Sequence, residues 1–258
     1  MDTNMKKPSL YTLDSSIENK LKERGEAVSV SIDSPHFDEG AKKKVWVQIE
    51  PRSIRNPIPF LKQNHSKFDV ILAWDKELLN FPNSKRFLYG TCWIDTENFV
   101  PNKKDVLSFL TSNKNFTDGH RIRHEVFSYL ESATQDADYD VVSIMTPPRL
   151  EKKDVAFETA KYSIIIENEK EENWITEKLI DCFATKTIPI YWGAPNVGEF
   201  FDLKGMVVFN TAAELFSIVK CLKMEKYDAL IESIEHNYTE AMKYADFFGR
   251  IDKEIDLL

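Results

Sequence analysis

Cysteine is scarce: Cys92, Cys182 and Cys221 are the only three in 258 residues. With no CxxC pairing and no ligand-like spacing, they exclude a disulfide scaffold and a cysteine-built zinc site. No apolar run approaches the ~20 residues that cross a bilayer, and residues 1–11 lack a signal-peptide core. Basic charge is in deficit, 34 Lys+Arg against 42 Asp+Glu for a net −8, which excludes a global footprint for nucleic acid but not a local positive pocket. GxGxxG, P-loop and Asp-x-Asp motifs are all missing. The five histidines are scattered; His120 and His124 could share a helical face, but the carboxylate help a two-ligand metal site needs is not clearly offered by the local sequence. The expectation is a soluble, cytoplasmic protein of a reducing compartment, with no metal and with peripheral membrane contact left open. What is present is enough apolar (42%) and aromatic (12%) material to build a real core, which excludes wholesale disorder.

The chain has two halves. The first ~100 residues hold short strand-like runs at 27–32, 45–49, 68–73 and 86–89, punctuated by Pro51, Pro57, Pro59 and Pro82. Short helices are expected at 20–24 and 59–64. From Lys103 the pattern becomes regular. Strands are expected at 106–110, 139–144, 162–166, 188–191 and 206–209, and helices at 121–130, 152–160, 177–185 and 212–222. Apolar strands alternating with helices predict a parallel sheet covered on both faces. Pro101 and two lysines mark a linker at 98–104, so the domains are read as 1–100 and 101–225, followed by 226–258. In that tail Leu230, Ile234, Tyr238, Ala241, Ala245 and Phe248 line one face and predict one long amphipathic helix.

Ligands of parallel α/β sheets bind beyond the carboxyl ends of the strands, where helix N-termini also point. That places Ser112 and Asn113, Glu167 and Asn168, and Gly193 in the candidate region. Thr176 suits an N-cap, and Glu177 suits the positive end of the next helix. Lys178 does not: a cation there costs about 0.3–1 kcal/mol unless an anion binds. Arg121 and Arg123 open another helix at its equally unfavourable end, and arginine can grip phosphate in bidentate fashion. Together these clusters could neutralise a diphosphate. Trp174 could cover a sugar or a base, and Gly193 marks a turn where backbone passes close to a neighbour.

The ordered set Tyr162-Ser-Ile-Ile-Ile-Glu-Asn168, Trp174-Ile-Thr-Glu-Lys178 and Ile188-Pro-Ile-Tyr-Trp-Gly193-Ala-Pro-Asn196 resembles the donor region of the α-1,3/4-fucosyltransferases, glycosyltransferase family 10. Upstream, Ser108-Phe-Leu-Thr-Ser-Asn113 followed by Arg123 extends the likeness, which is strong over about 103–210 and weak before it. The resemblance implies an α/β, GT-B-like architecture: two Rossmann-like domains facing across a cleft, here with a small N-terminal domain and the C-terminal helix. It implies a GDP-sugar donor, usually GDP-fucose, and a glycan acceptor, with no cofactor required. Arg123 and Lys178 then contact the diphosphate, with Arg121 as a neighbour. Glu177 holds the ribose or sugar side, and Glu167, Asn168 and Trp174 line the pocket.

The implied chemistry is inverting transfer: a carboxylate takes the acceptor proton while Lys178, Arg123 and helix amides stabilise the leaving diphosphate in place of a metal. The family's base is a glutamate just beyond a strand like Phe68–Trp74. An ungapped match puts Lys76 there, which leaves Glu77, Asp75 and Glu50 as candidates. A transferase using another GDP-sugar and a non-catalytic nucleotide-sugar-binding protein are the alternatives.

Overall fold

A computed structural model describes residues 28–133, 137–146 and 153–258. The helix expected at 20–24 lies outside them. The chain forms two compact units, one running to Tyr89 and taking in Phe248–Leu258, the other Gly90–Phe247.

The first unit is built on four parallel strands in the order β1 (Val28–Ile32), β2 (Lys43–Val47), β3 (Val70–Ala73) and β4 (Ser84–Arg86). Helix α1 (Ile58–Asn64) starts with Pro57 at its N-cap and Pro59 in its first turn, where a missing N–H costs nothing. Every residue of β3 is buried, as an interior parallel strand requires. Trp46, Leu61, Phe68, Ile71 and Leu78 pack as the core, edged by Phe37 and Phe60. The last strand ends at Arg86, so only the start of the expected 86–89 run is strand; Phe87 N still donates to Ala73 O at 2.9 Å.

The second unit carries five parallel strands in the order β6-β5-β7-β8-β9: β5 Lys104–Ser112, β6 Asp140–Thr146, β7 Ala160–Ile166, β8 Ile188–Trp192 and β9 Val207–Val208. Helix α2 (Asp118–Ala133) lies between β5 and β6, α3 (Glu177–Ala184) between β7 and β8, and α4 (Ala212–Lys220) follows β9. Six of the seven β7 residues are buried, the remaining Lys161 only partly exposed. At mid-sheet Ser108 Oγ donates to Ser163 Oγ at 2.9 Å, so two buried hydroxyls satisfy each other. Strand β5 is followed by β6 on one side and β7 on the other. The switch point, and with it the natural ligand crevice, lies at the carboxyl ends of β5 and β7.

Three expectations are corrected. In place of the helix at 152–160, of which residue 152 lies outside the described residues, there is one 3-10 turn, Asp154–Ala156. Lys103 Nζ takes the carbonyls of Phe157 (2.7 Å) and Ala160 (2.9 Å), and the chain runs straight into β7. The tail is not one helix but three: α5 (Lys226–Ala229), α6 (Ile231–Ala245) and α7 (Phe247–Asp256). Its backbone leaves the helical region at Asp246, where ψ is 80°. Finally, the units divide at Tyr89/Gly90 rather than within 98–104. Residues 90–93 already belong to the second unit through Gly90 N to Ile175 O (3.0 Å) and Trp93 N to Asp181 Oδ1 (2.6 Å).

Candidate functional site

The corner after β7 is organised by Glu167, whose side chain has no exposed surface. Its Oε1 accepts from Thr176 N (3.1 Å), its Oε2 from the Thr176 hydroxyl (2.7 Å), and Lys178 Nζ stands 3.5 Å away. Thr176 is the expected N-cap of α3, its Oγ1 accepting from Lys178 N at 3.2 Å. The misplaced cation at the helix start is thereby explained: Lys178 Nζ also reaches Thr176 Oγ1 (3.2 Å) and Glu177 Oε1 (3.3 Å). Burial acts to lower its ammonium pKa, but Glu177 and Glu167 outweigh burial and raise it. Burial likewise acts to raise the Glu177 carboxyl, yet Lys178 and Lys153 overcome that and hold it at about 2. Glu167, enclosed, is pushed up by desolvation.

Helix α2 presses onto the same corner. Gly119 N donates to Asn168 O at 3.0 Å, and a Cβ on Gly119 would lie 1.8 Å from Glu167 O. Only glycine permits that approach. Because the helix begins at Asp118, Arg123 does not open it but sits in its second turn, facing inward. Its Nε and Nη2 both donate to Ile166 O, and Nη2 also donates to Asn168 Oδ1 at 2.8 Å. Desolvation lowers the guanidinium to about 10, against the pull of Glu167 and Glu177, so it stays charged at neutral pH. Arg121 points away: it is exposed and paired with Asp118. Gly193 closes the third side, since a Cβ there would sit 2.3 Å from Tyr191 Oη and 2.6 Å from Glu167 Cγ.

Arg123, Glu167, Asn168, Thr176, Glu177, Lys178 and Gly193 therefore share one neighbourhood. Ser112 is half-buried at the end of β5, and Asn113 is exposed just beyond it. Trp174, three residues before the helix start, is only 2% exposed.

Several members were not singled out from the sequence. Lys153 Nζ lies 3.3 Å from Asp181 Oδ2, 3.6 Å from Glu177 Oε1 and 3.9 Å over the Trp93 ring. Nothing local to Lys153 announces these contacts. Asp181 was readable, being four residues after Glu177 on the same helix face. Lys153, Phe157, Ile165, Lys178 and Asp181 line a small cavity here. His120 and His124 are not a ligand pair: one meets Thr117 Oγ1, the other Lys114 O. Among the described residues no group of three His, Cys, Asp or Glu could hold a metal, and no helix is long and apolar enough to cross a membrane.

In the first unit, the loops after the strands carry the three carboxylates read as base candidates. Asp75, buried, is gripped by Arg52 through Nε (2.5 Å) and Nη2. Burial acts to raise its pKa, but the bonds from Arg52 and from the amides of Glu77 and Leu78 outweigh it and hold the group below the usual range. Glu77 is 42% exposed and paired with Arg52 (2.9 Å) and Lys62 (3.5 Å). Glu50, half-buried, follows β2. Its backbone N donates at 2.7 Å to Asp33, a residue sequence reasoning passed over.

Asp33, the residue after β1, lies in the left-handed region (φ 48°) and also accepts from Ile49 N at 3.1 and 3.2 Å. Asparagine and aspartate tolerate that backbone region, which was the only available signal. Desolvation raises its carboxyl to about 7, against the lowering amide bonds of Glu50 and Ile49. A folded-state pKa above the unfolded one means that the folded chain holds a proton the unfolded chain has lost. That stability is fully present below the unfolded value near 4 and drains away as pH rises to 7. Between pH 5 and 8 the wild type should lose about 2–3 kcal/mol relative to Asp33→Asn, at about 1.4 kcal/mol per unit of pH. Urea melts of both proteins at the two pH values check this, and parallel pH curves would reject it.

The family model for glycosyltransferase family 10 (fucosyltransferase), C-terminal, matches residues 100–246, more than half of the chain. The α-(1,3)-fucosyltransferase FucT of Helicobacter pylori is 26% identical over 155 residues, covering 60% of this chain and 29% of that enzyme. The chain thus matches less than a third of the length of this curated relative. A crystal structure of an α1,3-fucosyltransferase with GDP superposes with a TM-score of 0.55 at 18% identity, covering 97% of this chain and 92% of that one. A second α1,3-fucosyltransferase structure gives 0.50 at 20% identity over 75% and 65%. At such identities the likeness is one of fold, an α/β architecture of GT-B type with parallel sheets. With the family model spanning the whole β5-to-α6 region that holds Arg123, Glu177 and Lys178, this chain belongs to glycosyltransferase family 10, the fucosyltransferases.

Proposed function

We propose that the chain is an inverting, metal-independent glycosyltransferase that moves fucose from GDP-fucose to a hydroxyl of an oligosaccharide. Another GDP-sugar is the main variant. The observation carrying this reading is the meeting of Arg123 and Lys178, from two different helices, at the Glu167–Asn168 corner of the switch point. Two cations there with helix-terminal amides suit a diphosphate, and a solved relative binds GDP.

In the proposed reaction the acceptor oxygen attacks the anomeric carbon as its proton passes to a carboxylate. The bond from that carbon to the β-phosphate oxygen breaks, and its electron pair leaves with GDP. Lys178 and Arg123 meet the growing negative charge, so the task that falls to a metal elsewhere falls here to fixed side chains. Glu177, kept ionised by its two lysines, can accept from ribose or sugar hydroxyls. As the base we take Glu50, since Arg52 and backbone amides hold the Asp75 carboxyl below the usual range and Glu77 is offset by Arg52 and Lys62. An exposed thiol at Cys221 suits a cytoplasmic setting.

Calorimetry with GDP, UDP and CDP tests the donor, with GDP expected to bind most tightly. Lys178→Ala should weaken GDP binding at least about tenfold, since a hydrogen bond to a charged group is worth about 1.5–3 kcal/mol. Because the change also strips Glu167 of its cation, a thermal melt accompanies the titration. Unchanged affinity in a folded variant rejects the assignment.

A further inference from the structure

His120 lies three residues before Arg123 on α2, and so on the same helical face, one turn nearer the end that abuts the Glu167–Asn168 corner. Its residue exposure is only 2%, although it sits directly after an exposed loop. Thr117 Oγ1 is 2.5 Å from Nδ1 and also accepts from His120 N at 3.3 Å. That hydroxyl has one hydrogen. Given to Nδ1, that hydrogen leaves the ring proton on Nε2, the tautomer adopted here. The ring stays neutral, its pKa drawn to about 4 by desolvation and then by Arg123, Lys114, Lys178 and His124. Phe116 packs against the ring with centroids 4.5 Å apart. Among the described residues Nε2 has no hydrogen-bond partner. A buried imidazole with an unpartnered ring nitrogen, one helical turn from Arg123, can serve as a hydrogen-bond donor for an arriving anion.

We propose that His120 is a further ligand contact of this site, donating Nε2–H to an oxygen of the bound diphosphate beside Arg123 and Lys178. The proposal rests on reading the corner as a diphosphate site. A neutral donor adds a bond there without adding a third buried charge to desolvate.

The test is calorimetry of the full chain with GDP, comparing wild type, His120→Asn and His120→Gln. Asparagine can keep the Thr117 bond but places nothing at Nε2, whereas glutamine places an N–H there. His120→Asn should bind GDP about tenfold more weakly, and His120→Gln should stay within about threefold of wild type. Equal binding by His120→Asn overturns the proposal. So does an equal loss in both variants, which would mean a packing role. A second readout needs no variant to be well folded: the Nε2 resonance of His120 in the wild type, followed while inorganic pyrophosphate or GDP is added. A shift on saturation is expected, and binding without one overturns the proposal. If pyrophosphate shifts the resonance but GDP does not bind, the contact stands and the nucleotide reading falls. If neither ligand binds, both fall.

Discussion

Glu50→Gln is expected to lower the rate of sugar transfer by about 10²–10⁴, the usual contribution of a positioned general base. The amide preserves size and the backbone bond to Asp33 (2.7 Å) but cannot take a proton. GDP affinity should stay within about twofold, because Glu50 belongs to a different unit from the Arg123–Lys178 corner. That split between lost turnover and kept binding is the signature sought. Glu77→Gln is the matched control. Its carboxylate is surface-exposed and offset by Arg52 and Lys62, so its loss should change transfer by no more than about threefold. Full activity in Glu50→Gln with a large loss in Glu77→Gln would transfer the role to Glu77. The assay is product mass spectrometry over a panel of donors and acceptors, with GDP calorimetry on the same preparations.

Gly119→Ala should be the most damaging single-methyl change in the second unit. In an ordinary helix interior it would help by up to about 1 kcal/mol through helix propensity. Here the new Cβ would stand 1.8 Å from Glu167 O and 2.8 Å from Asn168 O, both backbone atoms that cannot swing aside. The start of α2 must therefore move off the corner. The cost is expected at about 3 kcal/mol or more, larger than the propensity gain and at the upper end for overpacking. For a chain of this size that corresponds to a melting temperature lower by about 6–12 °C. GDP binding should fall with it, since Arg123 rides on the same helix and loses its grip on Ile166 O and Asn168 Oδ1. Gly40→Ala is the contrast. Its Cβ would meet only Asp38 Oδ1, at 3.3 Å, and the change should stay within about 0.5 kcal/mol. A Gly119→Ala protein that melts and binds like wild type would mean that the corner is not held by this contact.

What was legible in the sequence depended on local pattern. The run Ile164-Ile165-Ile166 could only be a strand covered on both faces, and the Thr176-Glu177-Lys178 helix start could be read from capping chemistry alone. Lys178 stood out because it broke a local rule, and its three oxygen neighbours show what the violation sustains. Arg121 misled for the complementary reason. It and Arg123 look alike in sequence, but the extra turn of helix from Asp118 sends one to solvent and the other inward. Lys153 and Asp33 act through partners far along the chain or through a backbone conformation, and neither leaves a local periodic trace. The tail misled because a continuous apolar stripe says nothing about a single residue, Asp246, departing from helical backbone.

The division of that tail has a temporal consequence. Ile251 and Ile255 of α7 are completely buried, and Lys43 Nζ, at the start of β2, binds Ile255 O at 3.1 Å. The compact body assembled from residues up to Tyr89 thus borrows part of its interior from Phe248–Leu258, which follow the whole second unit in the chain. The stretch from Gly90 to Phe247 has all its strands in hand earlier. During translation the second unit can settle first, while the first has to wait for Phe248–Leu258 to emerge.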